Sequence, residues 1–175
     1  MDRMHAPWRI AYIKEEKQEG CIFCLKPAAT ADQANFILAR GSNCFAIMNK
    51  YPYTNGHLMV APYQHIGEVE ELPAAIWTEM MELTQWLVRA LKAAMKPHGF
   101  NLGVNVGRVA GAGMDGHLHL HIVPRWNGDV NFMPVLADCR VISEHIEDSY
   151  RSILAALAEI GAFEKYQRPN DKGRP

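Results

Sequence analysis

His117, His119 and His121 alternate with apolar residues in the stretch Gly116-His117-Leu118-His119-Leu120-His121-Ile122-Val123-Pro124-Arg125-Trp126. Imidazole can act as nucleophile, proton carrier or metal ligand near neutral pH, because its unperturbed pKa is about 6.5. A strand repeats its side-chain direction every two residues. The spacing therefore predicts a strand with Leu118, Leu120 and Ile122 turned to the core. The three imidazoles then share the opposite face, successive histidine Cα atoms about 6–7 Å apart. A His-rich edge strand or an adventitious metal-binding tract is the bland alternative. The unbroken apolar half of the pattern, and its sharp end at Pro124-Arg125-Trp126, favour a face whose chemistry is used.

Cys21 and Cys24 form a CxxC. Three readings stand side by side: a redox pair, half of a zinc site, or two buried thiols. A redox pair calls for a thioredoxin-like βαβ setting, which the pattern does not offer. Structural zinc calls for four nitrogen or sulfur ligands, so two would have to come from elsewhere in the chain. Cys44 and Cys139 have no partners by spacing and read as small buried hydrophobes. His57 opens an apolar run and by itself is as much a structural as a functional residue. Asn49, eight residues earlier, is on sequence alone equally a turn residue.

The elements that must position these residues follow from periodicity. Cys44-Phe45-Ala46-Ile47-Met48 and His57-Leu58-Met59-Val60-Ala61 read as a hairpin through "NKYPYTNG", with Asn55-Gly56 at its turn. Pro62 ends the second strand. Leu72 to Met95 carries Leu72, Ile76, Met80, Leu83, Leu87, Leu91 and Met95 at three- and four-residue steps, one helical stripe. Pro73 suits its first turn, and Pro97 with Gly99 ends it. Phe100 to Val106 reads as a further strand leading into "GRVAGAGMDG". Ser143 should cap a second helix with Glu144, Glu147 and Asp148 in its first turn, buried through Ile146, Tyr150, Ile153, Leu154, Leu157 and Ile160, and stopped by Gly161. Residues 1–20 read as an extended arm in which Trp8 and Tyr12 could pack on the body or on a partner subunit. A polar, alanine-rich stretch runs from the CxxC to Arg40, "NGDVNFMPV" reads as loop, and the tail "QRPNDKGRP" should be disordered. The order of strands and helices predicts an α+β fold: an antiparallel sheet with a long helix and a C-terminal helix packed on it. No repeat or linker divides the chain, so residues 1–175 are expected to be one domain, with a helical extension at about 143–163.

Composition narrows the function classes. The chain has 175 residues, 49% hydrophobic, with a formal net charge of −1. That is enough chain for a sizeable core and describes an ordinary soluble protein. It carries no basic field for nucleic acid, no apolar run long enough to span a membrane, and no signal-peptide core at its start. Four cysteines with one close pair are not a disulfide framework, so a reducing cytoplasm is expected.

The pattern from His117 to Val123, within "AGAGMDGHLHLHIVPRWNGDVNFMPV", resembles the signature of the histidine triad (HIT) superfamily of nucleotide hydrolases and transferases. Together with Ala6-Pro7-Trp8-Arg9 and Cys21-Ile22-Phe23-Cys24 it is similar to the microbial branch that includes diadenosine tetraphosphate phosphorylases. The resemblance covers most of the chain. It implies a homodimer joining two sheets, and a middle histidine, here His119, that attacks an α-phosphate to form a covalent nucleotidyl-histidine. Such an intermediate divides one hard displacement into two easier ones. A fixed acceptor, expected to be a backbone carbonyl, must then take the hydrogen of the other His119 nitrogen. The resemblance further implies that His121 holds phosphate oxygens or helps move a proton, and that His57 supports the site from the start of a core strand. It sets Asn49 against the ribose hydroxyls and points Asn105 at phosphate. Zinc-bearing relatives, and the related galactose-1-phosphate uridylyltransferases, imply a Cys₂His₂ zinc site from Cys21, Cys24, His65 and His117.

One departure is plain. Better-known relatives carry Gln-Ser or Gln-Thr before the triad, where this chain has Gly111-Ala112-Gly113-Met114. Backbone N–H groups of a glycine-rich turn can form an anion nest, so Gly111 and Gly113 are expected as phosphate contacts, beside a pure packing role. The expected activity is cleavage of a nucleoside polyphosphate, diadenosine tetraphosphate foremost, with inorganic phosphate or water as acceptor. The alternatives are a phosphoramidase or general nucleotide hydrolase, and a nucleotide-binding adaptor with a vestigial site. The intact triad argues against the last.

Overall fold

The computed structural model describes residues 20–29, 31–129 and 142–170. The expectations placed on Ala6-Pro7-Trp8-Arg9, Tyr12, Cys139 and the "NFMPV" segment lie outside the described residues. Five strands form one sheet in the order β1-β2-β3-β5-β4: β1 Ile37–Arg40, β2 Cys44–Met48, β3 Leu58–Pro62, β4 Gly99–Val104 and β5 Leu120–Arg125. Every pairing is antiparallel. Among the described residues three α-helices accompany it, α1 Ile22–Ala28, α2 Ala74–Met95 and α3 Ile146–Glu159. The fold is α+β as expected, with the long helix and the C-terminal helix on one face of the sheet.

Strand alternation sorts the residues onto two faces. Ala46, Met48, Leu58, Val60, Leu118, Leu120 and Ile122 join the cluster under α2 and α3, which contributes Met80, Leu83, Leu87, Leu91, Ile153 and Leu157. Phe45, Ile47, Met59 and Ala61 point the other way and pack with Phe23 of α1. A register shift between Ile37 and Ala39 lets β1 place Leu38 and Ala39 together in the first cluster and Ile37 in the second. Both faces of β2 and β3 are therefore dry. Truncating a fully buried leucine such as Leu87 to alanine would cost about 2–5 kcal/mol.

Several elements differ from the sequence expectations, each for a local reason. The triad strand begins at Leu120 rather than at Gly116. The β3–β5 register (Val60 opposite Leu120) puts Pro62 opposite Leu118, and Pro62 has no N–H to continue the ladder. Leu118 N–H donates instead to Ile66 O at 2.7 Å. The further strand is Gly99–Val104 rather than Phe100 to Val106. The long helix starts at Ala74, after a 3₁₀ turn at Val69–Glu71, and ends on Lys96 in the left-handed region at φ +50°. Ser143 is not the cap of α3. His145 occupies that position without a side-chain cap bond, while Ser143 Oγ accepts from Asn55 Nδ2 at 2.9 Å. The stretch up to Arg40 holds α1 and β1, which the sequence reading passed over as polar chain. The start of the tail is docked rather than disordered. Gln167 and Arg40 exchange backbone hydrogen bonds of 2.8 and 3.1 Å, and Asn170 N–H donates to Asp32 Oδ2 at 2.8 Å. Asp32, fully buried, also pairs with Arg40 at 2.6 Å.

Candidate active site

His57, His117, His119 and His121 are all buried, on the sheet face opposite α2 and α3. His121 extends from β5, His57 directly precedes β3, and the two strands pair with Met59 opposite His121. The backbone decides which nitrogen of each ring carries hydrogen. An imidazole bonded through one nitrogen to a carbonyl must hold its hydrogen there and present a lone pair from the other.

His119 Nδ1 lies 2.8 Å from His117 O, so Nδ1–H donates to that carbonyl and Nε2 carries the free lone pair. The acceptor expected for the nucleophile is thus the carbonyl of the first triad histidine. Burial holds the His119 pKa below the ordinary value, the carbonyl bond opposing, which keeps the ring neutral. Phe23 packs against it, ring centroids 4.6 Å apart.

His117 is reached the other way round. Its Nε2 lies 2.9 Å from Pro62 O and donates there, so Nδ1 is unprotonated. That nitrogen faces Cys21 Sγ at 3.3 Å, Cys24 Sγ at 3.6 Å and His65 Nδ1 at 3.2 Å, and Cys24 Sγ lies 3.4 Å from His65 Nδ1. All four ligand atoms lie within 4.8 Å of one another. Tetrahedral zinc, with Zn–S about 2.3 Å and Zn–N about 2.0–2.1 Å, requires S···N and N···N separations of about 3.6 and 3.3 Å. The donor set and its spacing fit that ion. Cys44, by contrast, is buried in the main core, and burial pushes its thiol pKa up, as befits a small hydrophobe.

His57 and His121 form the third arrangement. His57 Nδ1 accepts from Tyr53 N–H at 3.1 Å and is 3.3 Å from Asn49 Nδ2. Its Nε2 lies 2.9 Å from His121 Nδ1. Burial first, then the neighbouring imidazoles, push His57 down to about 3 and His121 down to about 4.

The other expected residues are placed as follows. Asn49 lies half-buried beside His57, its Oδ1 accepting from Tyr51 N–H at 2.9 Å. Asn105 follows β4 and reaches Gly111 O through Nδ2 at 3.4 Å. Gly111 has φ +91°, a conformation that favours glycine, but its N–H donates to Arg108 O at 3.0 Å. A phosphate contact through that amide would require this bond to open. A Cβ at Gly113 would meet nothing within 4 Å. Sequence reasoning missed three participants: Phe23, the Pro62 carbonyl and the Tyr53 amide. Phe23 had a signal, an apolar residue between two cysteines; the other two are backbone groups and have none.

Among known proteins, residues 30–128 match the family model described as HIT domain. A protein named AP-4-A phosphorylase from Mycobacterium tuberculosis is 42% identical over 166 residues, 90% of this chain and 85% of that protein. A Zn-bound histidine triad family protein from Mycobacterium smegmatis superposes with TM-score 0.65 at 28% identity, covering 82% of this chain and 96% of its own. A hypothetical histidine triad nucleotide-binding protein from Sulfolobus tokodaii gives TM-score 0.64 at 26% identity, with 82% and 94% covered. No helix among the described residues is long and apolar enough to cross a membrane.

Proposed function

The chain belongs to the HIT family of nucleotide-binding hydrolases and transferases, and from that premise we propose that it phosphorolyses dinucleoside polyphosphates, diadenosine tetraphosphate foremost, through a nucleotidyl-His119 intermediate. The observation that carries this reading is the His119 Nδ1–H bond to His117 O, which leaves Nε2 as a lone pair in a buried, neutral ring. In the first step Nε2 attacks the α-phosphorus. A P–N bond forms, the bridging P–O bond breaks, and ATP leaves. The imidazolium so formed keeps its hydrogen bond to the carbonyl. In the second step an oxygen of inorganic phosphate attacks the same phosphorus, the P–N bond breaks, and ADP leaves with the neutral imidazole restored. With water in place of phosphate the product is AMP.

The state of His121 supports a polyphosphate leaving group. Its Nδ1 accepts from His57, so the neutral ring holds hydrogen on Nε2 and offers a donor to phosphate oxygens rather than a labile acidic proton. A departing nucleotide phosphate, with a pKa near about 6, leaves as its anion without being protonated. An amine leaving group of a phosphoramidate would need a proton. The similarity to a protein named AP-4-A phosphorylase supports phosphate as acceptor.

Zinc held by Cys21, Cys24, His65 and His117 would have a full protein ligand set and therefore a structural role, tying α1 to the catalytic strand. Asn49 and Asn105 are the groups assigned to ribose and phosphate, with Gly111 and Gly113 lining the phosphate side. The β4 edge, where Leu102 is 48% exposed, is the seam assigned to a homodimer, each subunit one HIT domain with its N-terminal arm and C-terminal helical extension. Free thiols at the metal set suit a reducing cytoplasm.

Product analysis with diadenosine tetraphosphate, with and without inorganic phosphate, tests the reading. ADP plus ATP, appearing only with phosphate, is expected. AMP plus ATP regardless of phosphate would make the chain a hydrolase, and no turnover in either case would discard the substrate.

A further inference from the structure

The loop from Asn49 to His57 is held more firmly than a hairpin turn requires. Thr54 Oγ1 donates to Pro124 O on β5 at 2.9 Å, and Asn55 Nδ2 donates to Ser143 Oγ at 2.9 Å. His57 N–H donates to Thr54 O at 3.3 Å, and Asn49 N–H to His57 O at 2.9 Å. Gly56 turns the chain at φ +70°, where a Cβ would come within 2.6 Å of Met95 Sδ. These bonds bring the Tyr53 N–H to His57 Nδ1 at 3.1 Å. They also lay the Tyr53 ring over the histidine pair, centroids 4.7 Å from His57 and 6.1 Å from His121, the latter at an interplanar angle of 26°.

We propose that Tyr53 is a positioning residue for phosphoryl transfer: its backbone N–H sets the direction of a hydrogen-bond chain through His57 to His121, so that His121 meets the substrate with a hydrogen on Nε2. The inference rests on the reading of His119 and His121 as the phosphoryl-transfer face.

A pair of histidines bonded ring to ring can run in either direction. Were His57 to hold its hydrogen on Nδ1, its Nε2 would accept from His121 Nδ1–H, and His121 would turn a lone pair to the phosphate oxygens. Two anionic or lone-pair surfaces would then face each other. A side-chain partner could reverse with the chain, because an asparagine amide can flip. A main-chain N–H cannot: it only donates and does not titrate. Asn49 is itself fixed in the same sense by Tyr51 N–H donating to its Oδ1 at 2.9 Å. Two backbone donors thus impose one polarity, and the Tyr53 amide does so directly. The ring laid against both imidazoles covers the His57–His121 bond on that side. A donor aimed at developing phosphate charge contributes about 10²–10³-fold to turnover when it is in place, by analogy with oxyanion donors.

Nitrogen NMR on the full-length, metal-loaded, uniformly ¹⁵N-labelled protein tests this without substrate, so a wrong substrate assignment leaves it standing. Hydrogen is expected on Nε2 of both His57 and His121, with a through-hydrogen-bond nitrogen–nitrogen coupling between the Tyr53 amide and His57 Nδ1. Hydrogen on Nδ1 of His121, or absence of that coupling, overturns the proposal. Tyr53→Pro removes the N–H; mixed tautomers at His121 and a fall in kcat of about 10–100-fold with KM little changed are expected. Tyr53→Ala keeps the N–H and should keep the tautomers. A folded Tyr53→Pro protein with unchanged tautomers and kcat contradicts the proposal. If that variant does not fold, the wild-type coupling decides.

Discussion

On one side of His119, His117 turns an unprotonated Nδ1 towards two cysteine sulfurs and His65; on the other, His121 turns Nδ1 towards a histidine that fills it with a hydrogen. Both clusters are anchored by a buried triad histidine on the same sheet face. Their chemistry is opposite because the backbone bonds that anchor them differ in sense. Pro62 O takes the hydrogen of His117 Nε2 and so clears its Nδ1 for a cation. Tyr53 N–H fills His57 Nδ1 and so sends hydrogen onward to His121. His119 lies between them, its own hydrogen fixed by the carbonyl of His117, so a displacement of the metal-side histidine moves the acceptor that orients the proposed nucleophile.

The largest expected effect comes from breaking the metal side. Cys24→Ser, or chelation of the wild type, should remove about one equivalent of zinc by metal analysis. Stability should fall by at least about 3 kcal/mol, lowering Tm by about 6–12 °C, and kcat should fall with it as His117 O shifts. A metal-free wild type of unchanged Tm would end the zinc assignment. Breaking the other side should separate the two clusters. His57→Ala should retain its zinc and lose about 10–100-fold in kcat, the scale for removing a partner that orients a functional histidine. Zinc loss in that variant would show the clusters to be one unit.

The pH dependence of stability sharpens the contrast further. His57 and His121 have folded pKa values of about 3 and about 4, against 6.5 for the free group. The unfolded chain therefore binds more protons below 6.5, so their contribution is fully present above that pH and is lost as pH falls from 6.5 through about 4 and about 3. The urea midpoint should drop through this window, and more shallowly in His57→Ala; identical slopes would show that these rings do not titrate as buried neutral groups. The smallest effect is expected from Asn49→Ala. It removes one of two donors to His57 Nδ1 while Tyr53 N–H remains, so kcat should fall by less than in His57→Ala while KM rises if the side chain also meets ribose. A loss in kcat as large as that of His57→Ala would place the weight of the chain on Asn49 instead.

What the sequence shows of all this follows from which signals have a period. The His-apolar alternation, the Leu72–Met95 stripe and the Asn55-Gly56 turn are regular or chemically distinctive, and each lands on the element expected of it, the triad with its strand shortened at Pro62. β1 has four residues, Ile37–Arg40, and α1 seven with Pro27 inside, both too short to show a repeat. The CxxC offers half of a metal set by its spacing, but His65 and His117 were reachable only through resemblance, since sequence spacing cannot bring them beside it. The polarity of the histidine pair was out of reach altogether, because the Tyr53 N–H that sets it is a main-chain group that every residue type but proline carries alike.

The most direct test traps the reaction at His119. Full-length protein mixed with diadenosine tetraphosphate in the absence of phosphate, quenched rapidly and analysed by mass spectrometry, should carry a single adenylyl group, located on the peptide that contains His119 and absent from His119→Ala. Adenylyl on another residue, or full turnover by His119→Ala, would contradict the nucleophile assigned by the carbonyl of His117.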